Sequence, residues 1–198
     1  MKKLFITVLV LAAVWQFYTS EVSITLGPGI KAPGIPVQTM LQPAVIYQTS
    51  DYSISELASF QITAKVLAKE NYSMDREADL SPVDLALGWG KMSDEAVLQD
   101  INILQSGRFY YWQVDTFPMP RREIETHSAN MHLIPSSETV KDTINRVRQG
   151  DIIELSGSLV EVNSTSDDWA WRSSLTREDT GDGACELIWV ERLSIITP

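Results

Sequence analysis

The pattern of apolar and polar positions predicts an amphipathic helix in the second half of the chain. Val140, Ile144 and Val147 are separated by four and three positions, which places them on one face of an α-helix. The serine pair that ends at Ser137 precedes them, and a serine oxygen commonly caps the free N–H groups at a helix start. Gly150 follows, and glycine readily adopts the left-handed conformation at which many helices end.

Alternation of apolar and polar residues predicts strands on both sides of this helix. Residues 60–69 alternate with one exception, which is typical of a strand with one buried face. After the helix, residues 153–162 form another apolar strand, whose phase changes at Gly157. An extra residue there produces a β-bulge, which bends a strand strongly enough to help close a barrel. Further strands are predicted at residues 108–115, 169–173 and 185–196.

A helical insertion is predicted between the first strand and the aromatic strand at 108–115. The Ser-Pro pair that begins at Ser81 suits the start of a short helix, which ends at the glycines on either side of Trp89. Ser93 is the predicted cap of a second helix, and residues 121–134 are interpreted as mixed strand and loop. The sequence therefore predicts a mainly β, α+β fold. Its order of elements resembles an OB-like small Greek-key barrel with a helix between strands 3 and 4.

The first 20 residues form a separate apolar segment. Lys2 and Lys3 precede an apolar run, which is typical of a secretory signal peptide or a short membrane anchor. Because the small residues of a cleavage site are missing, an uncleaved anchor is favoured over a cleaved signal, and both are favoured over a buried helix of a soluble domain. The lysines place the body of the protein outside the cytoplasm. The predicted organisation is a signal anchor or signal peptide at 1–20, a Pro/Gly spacer at 21–50 and an OB-like β-barrel domain at 51–198.

The negative charge of the chain argues against a nucleic-acid partner. Residues 1–20 hold two lysines and no acidic residue, so the remaining chain carries 14 basic and 26 acidic side chains, a net charge of −12. Such a body is repelled by phosphate backbones, and no nucleic-acid partner is predicted. No cofactor is predicted either. Cys185 is the only cysteine, which excludes an intramolecular disulfide bond and a cysteine-rich metal site.

Aromatic side chains on neighbouring predicted strands are candidates for a binding surface. The strands at 108–115 and 169–173 each place two aromatic rings on one face, and OB-type barrels bind sugars or peptides on such strips. The alternative is that these rings belong to the hydrophobic core, where most strand aromatics lie. Nearby arginines either meet an anionic group of a ligand or pair with carboxylates. The candidate ligand-binding residues are Tyr110, Trp112, Arg121, Arg122, His127, Trp169, Trp171 and Arg172.

A second group of residues has the chemistry of a metal site or a catalytic centre. Glu123, Glu125 and His127 alternate, so an extended chain places all three on one face, with His132 nearby in sequence. Carboxylates and imidazoles are ligands of zinc and similar ions, so Glu125, His127 and His132 are the candidate ligands. Cys185 with either histidine is a candidate nucleophile and base, although the acidic residues around it raise the pKa of its thiol. The alternative is a solvated strand edge and a small core cysteine, and no metal site is assigned.

Four segments of the chain resemble a known group of proteins. They are DLALGWGKMSD, RFYYW, HSANMHLIP and WRSSLTREDTGDGACEL. The chain is similar, through these segments, to uncharacterised membrane-anchored envelope proteins of Gram-negative bacteria. The resemblance implies a single-pass inner-membrane protein whose body lies in the periplasm, and it implies no known activity.

Two functions from different classes follow from these observations. The first is a membrane-tethered periplasmic module that binds an envelope protein or a cell-wall component. The second is an envelope hydrolase that depends on a metal ion or on a cysteine. Because the sequence contains no recognisable catalytic constellation, we favour the binding function and leave the question of enzymatic activity open.

Overall fold

The computed structural model describes residues 23–181 and 183–197. The described chain is mainly β, as the sequence predicts. Its strands are β1 (Val37–Gln48), β2 (Tyr52–Asn71), β3 (Val83–Gly88), β4 (Asn102–Ser106), β5 (Phe109–Gln113), β6 (Ser128–Pro135), β7 (Ile152–Ser164), β8 (Ala170–Arg172) and β9 (Glu186–Ile195). Its helices are α1 (Glu95–Leu98), α2 (Arg121–Thr126) and α3 (Glu138–Arg146), and short 3-10 turns span Arg76–Asp79 and Gly90–Ser93.

Most of the described strands belong to one large sheet, in the order β1-β2-β3-β6-β9-β7-β8. β2 also pairs with β7, so β2, β3, β6, β9 and β7 form a closed ring of strands. The β6–β9 pair is parallel, and the other pairs of the ring are antiparallel. All five strands contribute to one buried apolar cluster, which includes Phe60, Ile62, Leu85, Leu133, Leu155 and Ile188.

The helix α3 packs its apolar face against this cluster, as its residue spacing predicts. Val140 is buried there, and Val147 follows the helix into the same cluster. The Ser137 hydroxyl accepts a hydrogen bond from the N–H of Val140 at 3.3 Å, which confirms the predicted cap. The helix ends before Gly150, because Val147 is already extended. Gly150 has a φ of 93°, and a Cβ there would lie 1.9 Å from the carbonyl oxygen of Ile24, so this glycine allows a close chain contact instead.

The irregularity predicted in the strand after α3 lies at Gly157. The register between β7 and β9 shifts between Ser156 and Gly157. A Cβ on Gly157 would lie 2.0 Å from the carbonyl oxygen of Trp189, so glycine is the residue that lets the two strands approach this closely. The extra residue, however, is Glu191 of β9, because Ser156 pairs with Arg192 and Gly157 with Val190.

β7 itself keeps its alternation, since Leu155 and Leu159 belong to the ring cluster and Val160 and Val162 to another cluster. The prediction of an extra residue and a change of phase within β7 is therefore wrong, although a register shift does occur at Gly157.

The helix predicted to start at Ser81 is instead strand β3. All of its residues are buried, and β2 and β6 pair with it on its two sides. A strand that is covered on both faces shows no alternation of apolar and polar residues, because neither face is exposed to water. The prediction of a helix is wrong for this reason.

An insertion is present, but it spans the chain between β3 and β6 and not the predicted residues 81–100, and only part of it is helical. β4 and β5 pair in a separate two-stranded sheet, and Gly107 and Arg108 join them with φ values of 58° and 70°. α1 is capped by Asp94, whose side chain accepts the N–H of Ala96, one residue after the predicted cap Ser93. The aromatic strand is therefore confirmed as β5, although it lies outside the ring.

The described part of the predicted Pro/Gly spacer at 21–50 is packed against the rest of the chain. β1 pairs antiparallel with β2. Further upstream, the N–H groups of Leu26 and Gly27 each donate to the carboxylate of Glu95 at 2.6 Å. Strand β1 was not predicted, because it is an edge strand with mostly exposed residues and lacks a buried face that alternation would reveal.

The predicted signal anchor or signal peptide at 1–20 lies outside the described residues. Among the residues that the structure describes, no helix is long and apolar enough to cross a membrane. The anchor therefore stays a prediction from the sequence of the first 20 residues.

Candidate functional site

A cleft of about 550 Å³ lies between the β4–β5 hairpin, α2 and the loop that leads into β9. Aromatic residues of β5 and the following loop contribute to its lining, together with the first residues of β6 and β9. We call it the aromatic cleft. The residues that define it are Tyr110, Trp112, Phe117, Arg121, Glu125, Ser128, Asn130, Arg177, Asp179, Cys185 and Glu186.

The aromatic side chains come from β5 because residues of a strand alternate between two faces. Tyr110 and Trp112 share the face that packs against a second buried cluster, which includes Leu67 and Ile124. Tyr111 lies on the other face and is 55% exposed. The sequence left open whether Tyr110 and Trp112 are core residues or cleft residues. Both descriptions hold, since the two rings pack against the cluster and also line the cleft.

The hydroxyl group of Tyr110 fixes its ring at the cleft. The Ser128 hydroxyl donates to the carbonyl oxygen of Ile124 at 2.7 Å, so it accepts the proton of the Tyr110 hydroxyl, 2.6 Å away. Burial raises the pKa of Tyr110 to about 12, and the nearby carboxyl groups of Glu186 and Glu125 raise it as well. The phenol is therefore neutral near pH 7.

Cys185 lines the cleft as a protonated thiol. Its sulfur lies 3.9 Å from the side-chain nitrogen of Asn130 and 3.8 Å from the carbonyl oxygen of Arg108. Burial raises the pKa of the thiol to about 12, and the negative charge of Glu186 adds to the shift. Because the thiolate is the nucleophilic form, Cys185 is a poor nucleophile at neutral pH.

The two histidines lie outside the lining of the aromatic cleft. The Nδ1 atom of His127 lies 3.0 Å from the carbonyl oxygen of Glu123, and its ring centre lies 6.3 Å from that of Trp89. His132 lies beside Asp84, with 2.9 Å between Nδ1 and Oδ2. The structure therefore does not bring either histidine into the cleft that Cys185 lines.

The candidate metal ligands are separated as well. Arg121–Thr126 is a helix, so Glu123, Glu125 and His127 do not share the face that an extended chain would give them. Glu123 pairs with Lys91 at 3.0 Å, and Glu125 pairs with Arg121 at 2.8 Å in the i,i+4 spacing of a helix. Over the described parts of the chain, no group of three or more His, Cys, Asp or Glu side chains is placed to hold a metal ion.

Arg121 has two partners in the cleft. Its Nε donates to the carboxylate of Glu125 at 2.8 Å, and its guanidinium lies 5.6 Å from the centre of the Trp112 ring. The hydrogen bond from Arg121 lowers the pKa of Glu125, so this carboxylate is ionised at neutral pH. Arg122 lies 3.6 Å from the same carboxylate and also contacts Glu178 in the loop before β9. Of the three predicted arginines, only Arg121 belongs to the cleft lining.

Glu186 is a buried acid of the cleft that the sequence analysis did not select. It is 1% exposed. Its Oε1 contacts the Nε of Arg177, but neither Oε1 nor Oε2 has a hydrogen-bond partner within the described residues. Burial raises the pKa of Glu186 to about 8, and the charge of Arg177 opposes that shift. In sequence, Glu186 follows a turn rich in solvated acids, and nothing in that pattern distinguishes it from them.

The remaining predicted residues form a separate surface at β8. The ring centres of Trp169 and Trp171 are 6.3 Å apart, and Trp171 packs 4.8 Å from the ring centre of His132. Arg172 pairs with Glu161 on β7 at 2.7 Å. The predicted aromatic strip is therefore divided, because β8 lies at the edge of the large sheet and β5 lies in the separate hairpin.

Comparisons with protein-family models, with curated proteins and with solved structures gave no match. Since a fold does not define a function, the function has to be inferred from the chemistry of the cleft. The cleft combines aromatic surface with hydroxyl, amide and carboxyl groups. Apolar surface with a few polar groups is typical of ligand-binding sites.

Proposed function

We propose that the protein is a membrane-tethered periplasmic module with an OB-like barrel, which binds a component of the cell envelope in its aromatic cleft. The order of the ring strands supports the OB-like barrel. The helix α3 lies between the third and fourth strands of the ring, β6 and β7. A five-stranded Greek-key ring with the helix at this point is the arrangement that the sequence predicts for an OB-like fold.

The aromatic cleft is the observation that carries the binding function. Its volume of about 550 Å³ lies within the range of small-molecule and side-chain pockets. Tyr111 and Phe117 also belong to its lining, and they are 55% and 50% exposed. Exposed rings that adjoin polar groups are typical of binding surfaces, because aromatic rings of a core are covered by other side chains.

The envelope location is supported by the first 20 residues. Lys2 and Lys3 precede the apolar run, and lysines at that position remain in the cytoplasm while the chain that follows is exported. The proposed body is acidic, so it is repelled by anionic lipid heads and is expected to contact the membrane through its N-terminal segment alone.

An envelope hydrolase has less support than a binding module. The thiol of Cys185 is protonated at neutral pH, and His127 and His132 lie outside the cleft lining. The Ser128 hydroxyl donates to a backbone carbonyl oxygen, so it is not activated by a base. Binding without bond cleavage is the function that this cleft favours.

Site-specific photo-crosslinking in cells tests the proposal. A photoreactive amino acid is placed at Phe117 in the cleft or at Met74, which is 97% exposed and lies outside the cleft lining. In the full chain produced in a Gram-negative host, we expect a discrete crosslink to an envelope component from position 117 and not from position 74. Adding Trp112→Leu should reduce this crosslink about tenfold, since buried aromatic residues dominate binding energies.

Trp169→Leu is the matched control, because it removes a tryptophan from the β8 surface and leaves the cleft intact. Crosslinks of equal yield from positions 117 and 74 would show that the proposal is wrong. An equal reduction of the crosslink by Trp112→Leu and Trp169→Leu would show the same. Digestion of spheroplasts with a protease tests the location, since a periplasmic body is accessible without lysis.

A further inference from the structure

We infer that the aromatic cleft recognises an alkylguanidinium group, either the side chain of an arginine in a peptide or a free alkylguanidine. The inference rests on the proposed binding function and names the chemical class of the ligand. The guanidinium is a flat cation that pairs with carboxylates and stacks on aromatic faces, and its alkyl chain packs against apolar surface.

The lining of the cleft offers carboxyl groups that this ligand can bind. Glu125, Asp179 and Glu186 contribute them, and the carboxylate of Glu125 is ionised. Burial raises the pKa of Glu186 to about 8, so near pH 7 it acts as a neutral hydrogen-bond acceptor. Arg121 and Arg177 are the basic residues of the lining, and each already contacts one of these carboxyl groups. The chain as a whole is strongly acidic, so it attracts cations from solution.

Arg121 shows how a guanidinium group is held in the cleft. It donates to the Glu125 carboxylate at 2.8 Å and lies 5.6 Å from the centre of the Trp112 ring. A ligand guanidinium that took this position would meet the same carboxylate and the same aromatic face. The side chain of Arg121 is 70% exposed, and an exposed ion pair contributes little free energy. Replacing Arg121 by a ligand therefore costs little.

Glu186 provides a second, independent observation. It is 1% exposed and belongs to the lining, and its Oε2 has no hydrogen-bond partner among residues 23–181 and 183–197. A buried carboxyl oxygen without a partner is unfavourable until a donor reaches it. Arg177 is held on the other oxygen, and it also donates to Gln38 at 3.1 Å, so it stays in place. A guanidinium group has several N–H donors and can supply the missing hydrogen bond.

Isothermal titration calorimetry of the full chain in a neutral detergent tests the inference. The peptide probe is acetyl-Gly-Gly-Arg-Gly-Gly amide, and its neutral control contains citrulline, which has the shape of arginine without the charge. Agmatine is the free alkylguanidine probe. We expect the arginine peptide to bind about tenfold more tightly than the citrulline peptide. A comparison of agmatine with the arginine peptide then shows which source of the group the cleft prefers.

Two variants test whether the guanidinium group of the ligand binds at Glu125 and Trp112. Arg121→Ala should tighten binding of the arginine peptide about threefold, because it removes the nearer of the two arginines from Glu125 and frees the face of Trp112. Glu125→Gln should weaken that binding about tenfold. Arg172→Ala and Glu161→Gln are the matched controls, since they break an ion pair of 2.7 Å outside the cleft, and they should leave binding unchanged. Thermal unfolding verifies that each variant is folded.

The outcomes distinguish this inference from the proposed function. Equal affinity for the arginine and citrulline peptides would overturn the guanidinium inference and would leave a binding cleft in place. Weaker binding by Arg121→Ala would also overturn it, because Arg121 would then be a ligand contact and not a competitor. If no probe binds, the inference is wrong, and the crosslink from position 117 decides the proposed function separately.

Discussion

Two buried carboxyl groups, those of Asp84 and Glu186, have opposite surroundings. Both are almost completely inaccessible to water, at 0% and 1% exposure. Arg108 donates to Oδ1 of Asp84 at 2.9 Å, whereas Oδ2 lies 2.9 Å from the Nδ1 of His132 without a hydrogen bond. Glu186 contacts Arg177 through Oε1, but neither of its oxygens has a hydrogen-bond partner in the described chain.

The surroundings of Asp84 explain its role in the fold. Arg108 lies at the turn between β4 and β5, where it has a φ of 70°. Its side chain joins Asp84 on β3 to Asp75, at 2.9 Å and 2.7 Å, and stacks 3.7 Å from the ring centre of Tyr72. A buried acid that accepts a hydrogen bond from the guanidinium of another element holds the two elements together. The Asp84 cluster therefore fixes the hairpin against the ring of strands.

The surroundings of Glu186 support a role in binding instead. An incompletely satisfied acid does not stabilise the fold, because burial disfavours its charge and only one partner compensates. It lies at the start of β9, beside the cleft that the hairpin helps to form. The difference shows that burial alone does not identify a structural acid. The two acids differ in that Asp84 accepts a hydrogen bond and Glu186 accepts none from the described residues, and the following predictions test that distinction.

The largest effect is expected for Asp84→Ala. The substitution leaves Arg108 without one of its two carboxylate partners in a buried place, and breaking a buried ion pair costs about 3–5 kcal/mol. Urea denaturation of the chain, followed by far-UV circular dichroism, measures the free energy of unfolding. Asp167→Ala is the control, because Asp167 pairs with Arg76 at the surface and should change the stability little. Equal losses for the two variants would contradict a structural role of the Asp84 cluster.

A smaller effect, with a distinct pH dependence, is expected for Glu186→Gln. The pKa of Glu186 is raised from its ordinary value of 4.5 to about 8 in the folded chain. The folded state therefore binds the proton more tightly than the unfolded state, and stability is highest below pH 4.5 and falls as the pH rises through about 8. Glutamine imitates the neutral carboxyl group, so the variant should lack this loss, which is on the order of 2–4 kcal/mol.

Denaturation of both proteins at pH 5 and pH 9 measures that difference. The two should have similar stability at pH 5, and Glu186→Gln should be the more stable protein at pH 9. Glu161→Gln, on the exposed side of β7, is the control for the loss of a glutamate. If the wild type gains stability between these pH values relative to Glu186→Gln, the Arg177 ion pair outweighs burial and the proposed contrast with Asp84 fails.

Some elements of this fold could be predicted because burial of one face determines the spacing of their apolar residues. The helix α3 and the strand β2 each bury one face, so their apolar residues follow a period that sequence reveals. Gly157 marked a register shift where two strands approach closely, but the extra residue is Glu191 of β9 and not a residue of β7. Strand β3 was missed because it is buried on both sides, and β1 because it is mostly exposed.

The cleft could be predicted only in part, since it depends on contacts between distant segments. Tyr110, Trp112 and Arg121 lie close together in sequence, and they were selected from their local pattern. Glu186 lies in the cleft because β9 pairs with β6, and Arg177 reaches it from the preceding loop. No local spacing encodes that pairing. The β8 residues were grouped with β5 because the sequence does not show that β5 leaves the large sheet.

The smallest effect is expected for Tyr110→Phe, which removes one hydroxyl group at the boundary between the cleft and the ring. That hydroxyl donates to Ser128 at 2.6 Å, and a single hydrogen bond of this kind contributes about 1 kcal/mol. Tyr111→Phe is the matched control, because Tyr111 is 55% exposed and should change the unfolding free energy little. Urea denaturation of both variants measures the difference. Since phenylalanine keeps the aromatic ring, a loss confined to Tyr110→Phe would show that the hydroxyl anchors the cleft wall to β6. Equal stability of the two variants would show that ring packing alone holds the wall in place.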